Sequence, residues 1–355
     1  MPSVDVLVVG LGPAGARAAA TAAARGARVL AVERRPRIGV PVQCAEFVPL
    51  PMGRYVRETG ALVQTIEHMT TVLPSGATQV SDFPGMIIDR AVFDRGLAEE
   101  ARRRGAVLWT RSTLRALDPA RGRARIRNPD GEEAVTFGAL VAADGPGSTV
   151  ATRLGLPPLP RIHTRQYTVP LIQGRTDTLV RLSPGFPGGY GWLFPRGGCA
   201  HLGLGMDKAR AADLKIPLEA WHRDLVRQGV VGPRVLGRTG GAIPVGGLRD
   251  PLWQGGVVFA GDAAGLTHPI TGGGIAPAVI SGGYAGEAAM DWIGGDAGAL
   301  EDYAGEMKDT YGPGLARAVA RRRELDRIWG TPRAREDAPH RRGWIAFDEY
   351  FAATA

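Results

Sequence analysis

Val4-Asp5-Val6-Leu7-Val8-Val9-Gly10-Leu11-Gly12-Pro13-Ala14-Gly15 is an apolar run that passes directly into Gly-x-Gly-x-x-Gly. A turn of that kind lets the backbone approach a pyrophosphate, and the helix after it points its partly positive N-terminus at the phosphates. The helix reads through Ala14 to Arg25 and stops at Gly26, a C-terminal glycine. Arg28-Val29-Leu30-Ala31-Val32 reads as the second strand and ends at Glu33. Strand, turn, helix and strand make a βαβ opening with a right-handed crossover. An acid at Glu33 accepts hydrogen bonds from an adenosine ribose and repels a 2′-phosphate, which favours FAD or NAD over NADP. The loop alone does not choose between those two. Gly10, Gly12, Pro13, Ala14, Gly15, Glu33 and Arg34 are the residues expected around the adenosine diphosphate half.

Two more glycine signatures lie far downstream. One is Ala143-Asp144-Gly145-Pro146-Gly147-Ser148, at the end of the apolar run Ala139 to Ala143. The other is Gly261-Asp262-Ala263-Ala264-Gly265, after Gly256-Val257-Val258-Phe259-Ala260. The spacing divides the chain into a first nucleotide-binding part (1–155), an inserted β-sheet domain (156–245), a second nucleotide-binding part (246–298) and a helical segment (299–355). The fold class is α/β, a Rossmann-like domain interrupted by an antiparallel substrate sheet. Turn residues at Pro36, Gly39, Pro41, Pro49, Pro51 and Gly53 make 34–85 read as loop-rich. Asp89 opens a helix to about Arg104, and Asn128-Pro129-Asp130-Gly131 reads as a hairpin turn. A helix is expected from about Gly274 to Ile293, and 299–330 read as helical.

The 355 residues, 44% of them hydrophobic, suffice for two lobes with buried cores. Two cysteines, Cys44 and Cys199, exclude a disulfide framework and fit a reducing compartment. The first strand starts at about Val4, leaving no room for a signal peptide, and no apolar stretch reaches the roughly 18 residues of a membrane span. A cytoplasmic protein, at most peripheral to a membrane, is expected. The net charge of +8 comes mostly from arginine, and no zinc-finger, helix-turn-helix or aromatic RNA-binding pattern accompanies it, which argues against nucleic acid. Arg317, Arg321, Arg322, Arg323 and Arg327 form a basic helical stretch, either a solvated face or a contact for anionic lipid. His163, His201 and His222 lack metal-ligand spacing, so no metal is expected.

Asp144-Gly145 and Gly261-Asp262 resemble two motifs of the para-hydroxybenzoate hydroxylase-like flavoproteins, and Arg90 in Asp89-Arg90-x-x-Phe93-Asp94 matches an arginine near their FAD. Within that superfamily, Pro187-Gly188-Gly189-Tyr190-Gly191-Trp192-Leu193-Phe194-Pro195 resembles the Pro-x-x-Tyr-x-Trp-x-Phe-Pro motif of the geranylgeranyl reductase family at every fixed position. Ile38-Gly39 through Gln43-Cys44-Ala45-Glu46 is similar to the family's cysteine loop, and Gly261 through Ile275 to its flavin-binding stretch. The resemblance implies FAD, held by Asp262 at the ribityl chain and by Arg90, Asp144, Gly261, Pro269, Gly272, Gly273, Gly274 and Ile275 around it. It implies a reductase of prenyl double bonds, with Tyr190, Trp192 and Phe194 lining the pocket and Cys44 near the ring in proton delivery or gating. His268 is a candidate flavin tuner or proton carrier, and Cys199 a small filler. A thiol in acid–base work is expected to carry a lowered pKa. No second Gly-x-Gly-x-x-Gly follows a later strand, so the electron donor is expected to dock transiently, as NAD(P)H or a small carrier protein. The alternatives are an FAD-dependent monooxygenase of a small molecule or maturing peptide, and a flavin-bearing assembly protein without turnover.

Overall fold

The computed structural model describes residues 2–207, 209 and 213–352. Among these, the first sheet has eight strands. Its main order is Trp253–Gln254, Val257–Phe259, Gly131–Ala142, Ser3–Val9, Val29–Val32, Val107–Trp109. The last five pair in parallel; Trp253–Gln254 and the hairpin Thr113–Asp118/Arg123–Asn128 add antiparallel edges. Val6 to Val8, Ala139 to Ala142 and Val257 to Phe259 are completely buried. Unbroken apolar runs suit a parallel sheet covered on both faces.

The helices Pro13–Ala24 and Ile275–Ile293 pack on this sheet and on each other. A side chain at Gly282 would strike the Ala14 backbone, and one at Gly286 would come within 2.6 Å of the Ala18 carbonyl. The close approach carries both helix starts, Gly12 and Gly274, to one cavity. That convergence is what the three glycine signatures encode.

The second sheet runs Gly237–Thr239, Arg161–Pro170, Cys199–Met206, Gly191–Arg196, Asp177–Arg181, Leu62–Val72, Thr78–Ile88, Phe47–Pro49, with Ala242–Pro244 also on Arg161–Pro170. This corrects the loop-rich reading of 34–85: the sheet takes strands from 47–88 as well as from 161–244. Along Leu62–Val72 only Ile66, Met69 and Thr71 are buried, so the apolar alternation that marks a half-buried strand is faint there. One pairing in the sheet is parallel, Asp177–Arg181 with Leu62–Val72, because its two strands arrive from separate chain segments.

The helix Ala299–Asp326 leads to two short helices, Asp337–Gly343 and Asp348–Phe351. Trp344, Phe347 and Tyr350 are buried with Met69 and Val180 of the second sheet and with Leu182 just after its strand Asp177–Arg181. The tail therefore packs on the body, and it does so against the substrate sheet. No helix among the described residues is long and apolar enough to cross a membrane, and none of their His, Cys, Asp or Glu groups could hold a metal ion.

Candidate flavin and substrate cavity

One cavity of about 790 Å³ runs between the two sheets, within the usual range for small-molecule sites. Gly10, Gly12, Pro13, Ala14, Glu33 and Arg34 line one end. Gly10 stands at φ +97°, and a side chain there would strike Ala143 and Asp144. Gly15 lies outside the lining; its hydrogen lets the helix press on the Gly10 carbonyl. Gly12 differs from both, because an added Cβ would meet no protein atom within 4 Å. Protein packing therefore does not require glycine there, and the space over the turn is open to the cavity, as close approach of a dinucleotide would need. Glu33 accepts the Leu11 N–H at 3.1 Å and the Arg35 N–H at 2.9 Å, which fixes its carboxylate at the rim.

Asp144, Asp262, Gly272, Gly273, Gly274 and Ile275 line the middle. Asp144 Oδ2 accepts the N–H groups of Thr149 (2.6 Å) and Val150 (3.1 Å), capping the short helix Thr149–Arg153. Burial pushes Asp144 up against those hydrogen bonds. Asp262 accepts the Thr267 hydroxyl at 2.5 Å, and burial pushes its carboxyl up as well. A Cβ at Gly274 would stand 2.6 Å from the Thr267 hydroxyl. The turn is bare just where the helix Ile275–Ile293 begins, and its first amides face the cavity end-on. A buried carboxylate, a glycine cradle and two helix N-termini around one space fit FAD. Gly261 lies outside the lining, packed on Ala14 and Ala278 with its N–H on Ser281.

The far end is apolar. Cys44, Tyr190, Trp192 and Phe194 line it together with Phe47, Met69, Phe83 and Val180. Tyr190 donates to the Thr271 carbonyl at 2.5 Å, tying this end to the glycine turn beside it. Trp192 donates to Gln166, and Gln166 donates to the Cys44 carbonyl at 3.0 Å. The aromatic motif thus both packs and lines, and it holds the cysteine loop in place.

Cys44 departs from the expected lowered pKa. Burial pushes its thiol up, and the neighbouring Arg90 only partly opposes this. The group is a protonated thiol at neutral pH, the form that can give a proton. Arg90 is drawn to protein partners: it forms two hydrogen bonds of 3.0 Å to Asp94, and its charge survives burial because Asp94 and Cys44 favour it. Arg90 lines the cavity beside the thiol.

Glu46 is the residue that the sequence reading undervalued. It is 2% exposed, sits at φ +69°, and accepts from the Arg90 N–H (2.8 Å), Arg196 (2.8 Å) and His201 (2.5 Å). Burial raises its pKa, but His201, the Arg90 N–H and Arg196 outweigh that and hold the carboxyl below its ordinary value. The Glu46 N–H meets the Cys44 sulfur at 3.2 Å. Strained non-glycine backbone of this kind persists where surroundings over-determine it. The signal was the pair Cys44-x-Glu46; the partners Arg196 and His201 lie too far away in sequence to be read.

Two expectations are corrected. His268 and Pro269 do not line the cavity. The His268 Nδ1 accepts the Thr271 N–H at 3.2 Å, so Nε2 carries the hydrogen and donates to the Tyr350 hydroxyl at 3.2 Å. Burial lowers its pKa to about 4. His268 is a clasp between loop and tail. The arginine stretch is not one basic face either: Arg321 is completely buried on the Tyr350 and Ala352 carbonyls, and Arg317 stacks over Phe351. A tail that needs anchoring has claimed those charges.

The family of FAD dependent oxidoreductases matches residues 5–101. Digeranylgeranylglycerophospholipid reductase 1 of Methanopyrus kandleri is 33% identical over 336 residues, covering 86% of this chain and 88% of the relative. The digeranylgeranylglycerophospholipid reductase of Methanosarcina mazei is also 33% identical, over 87% of this chain and 81% of the relative. A geranylgeranyl bacteriochlorophyll reductase-like crystal structure from Thermoplasma acidophilum superposes with a TM-score of 0.84 at 27% identity, covering 93% of this chain and 91% of that one.

Proposed function

Because the chain belongs to the geranylgeranyl reductase family of FAD-dependent oxidoreductases, we propose that it reduces carbon–carbon double bonds in the prenyl chains of a lipid. The observation that carries this reading is the polarity of the single cavity. A glycine-and-carboxylate cradle suited to a dinucleotide opens without interruption into an end walled by Tyr190, Trp192, Phe194, Phe83 and Met69. The polar groups beside that end, Glu46, Arg90 and Gln166, are engaged by protein partners, and the rings and aliphatic side chains that wall it suit an isoprenoid, which needs only shape.

FAD, when bound, supplies hydride. Glu33, Gly10 and Gly12 would hold its adenosine half, and Asp262 with Gly272 to Ile275 the remainder. The protein's own task is the proton that completes saturation. Tyr190 and Cys44 are the candidate donors. Burial and the nearby thiol push the Tyr190 hydroxyl further up, and its hydrogen is committed to the Thr271 carbonyl. The Cys44 thiol is the better source: its sulfur receives the Glu46 N–H, and Arg90 beside it favours the thiolate left behind. With aromatic rings walling that end, the proton is assigned to a placed group. The reductant is NAD(P)H or a small carrier docking transiently, and the lipid is reached at a membrane surface.

The test is anaerobic turnover. Holoprotein reduced with dithionite and given a geranylgeranyl-chain phospholipid should yield product heavier by one hydrogen pair for each double bond. Product gaining oxygen instead, under aerobic turnover with no saturation, would replace this reading with the monooxygenase one.

A further inference from the structure

We infer that Trp344, carried on the C-terminal tail, is the end wall of the apolar half of the cavity and sets the length of chain the enzyme accepts. The inference rests on the prenyl reading above and names the specificity element of that site.

Most of the apolar lining belongs to the substrate sheet: Met69, Phe83, Val180 and Phe194 come from separate strands. Trp344 and Ile345 come from the tail, about 80 residues beyond the glycine turn at 261–265. The Trp344 ring lies 4.7 Å from the Tyr190 ring and is 3% exposed. It is therefore packed into the aromatic motif as well as facing the cavity.

A wall discriminates only if it is rigid, and the tail is fastened on several sides. The completely buried Arg321 donates to the carbonyls of Tyr350 and Ala352. Asp337 accepts both the backbone N–H (3.0 Å) and the hydroxyl (2.6 Å) of Ser75. Arg342 reaches Glu324 at 2.9 Å, and Tyr350 reaches His268 at 3.2 Å. The last contact continues through the Thr271 N–H to His268 and the Thr271 carbonyl to Tyr190. The end wall, the aromatic motif and the glycine turn are thereby held in one hydrogen-bonded unit. Those bonds hold the backbone that carries Trp344, and its ring is kept in place by packing on Tyr190 and by burial.

The test uses holoprotein carrying Trp344→Ala, Trp344→Leu or Trp344→Phe, each checked for flavin content. Reduction rates are measured for a homologous series of prenyl alcohols, with dithionite as reductant. Binding of saturated n-alkyl alcohols of graded length is followed separately, through bound-flavin fluorescence. Relative to chains below the wild-type limit, those above it should gain about tenfold or more in kcat/KM with Ala, less with Leu. Phe, which keeps a wall, should leave the limit in place. The n-alkyl binding limit should lengthen in the same order. If Ala and Leu retain flavin and both limits stay where they were, the inference is overturned. If the wild type reduces no prenyl alcohol but the alkyl limit lengthens with Ala, the inference stands and the prenyl reading fails.

Discussion

Lowering the pH should loosen the clasp at His268, and the size of the effect follows from its surroundings. Burial lowers the imidazole pKa from 6.5 to about 4. Between those values the unfolded chain takes up a proton that the folded chain refuses. Stability from this group is therefore complete above pH 6.5 and is lost as the pH falls toward 4. At about 1.4 kcal/mol per pH unit, the whole window is worth about 3 kcal/mol. The Nδ1 atom explains why the folded state refuses: it accepts the Thr271 N–H, and a proton there would turn an acceptor into a second donor. His268→Asn keeps an amide oxygen for that N–H and cannot titrate. Urea midpoints of holoprotein, measured from pH 7 to pH 4, should fall steeply for wild type and more gently for the variant. His340 has its pKa lowered by burial too and contributes equally to both proteins, so the difference between the curves isolates His268. Parallel curves would refute the assignment of His268 as a neutral structural clasp.

Three further outcomes follow. Gly12→Val should leave apoprotein stability within about 1 kcal/mol, since no protein atom opposes the side chain, yet weaken FAD at least tenfold; equal loss of fold and flavin on calorimetry would count against a ligand-facing Gly12. Glu33→Arg removes the acceptor of the Leu11 and Arg35 N–H groups and brings a cation to the ribose; the purified variant should be colourless, and full yellow colour would remove Glu33 from the site. Cys44→Ser should keep its flavin and the rate of flavin reduction but lower prenyl saturation by about 10²-fold or more, the usual worth of a placed proton donor. Unchanged saturation by product mass would shift proton delivery to Tyr190.

The first sheet was legible because its signals are local. Strand, turn and helix at 4–33 obey fixed spacings, and buried parallel strands such as Val257–Phe259 read as plain apolar runs. The cofactor half of the site was legible for the same reason, since its glycines lie within turns. The strands Leu62–Val72 and Thr78–Ile88 were not, because they bury few large side chains, and the first of them also takes a parallel partner more than 100 residues away. His268 was misread through its neighbours: lying next to the glycine turn in sequence suggests a place by the flavin, but its ring faces Tyr350, 82 residues on. The acceptors of Arg321 likewise come from the tail, which carries no periodic pattern of its own.

Glu46 shows how this fold joins its halves around the chemistry. Its three donors come from different elements: Arg90 starts the helix Arg90–Arg103, Arg196 ends the strand Gly191–Arg196, and His201 lies on the strand Cys199–Met206. A buried carboxylate with three donors is costly to disturb, since removing it would leave the Arg90 N–H and the His201 Nε2 without their acceptor and Arg196 with Asp89 alone. The bonds therefore fix where the substrate sheet sits relative to the nucleotide-binding part. They also fix the φ +69° turn that aims the Glu46 N–H at the Cys44 sulfur. The same residue that locks the sheet orientation thus positions the thiol, so a shift of the sheet would also move the Cys44 sulfur. On the proposed reading, saturating a double bond requires hydride source, thiol and apolar wall to stay in mutual register, and the hydrogen bonds of Glu46, Gln166 and His268 hold the cysteine loop, the aromatic motif and the glycine turn together from three sides.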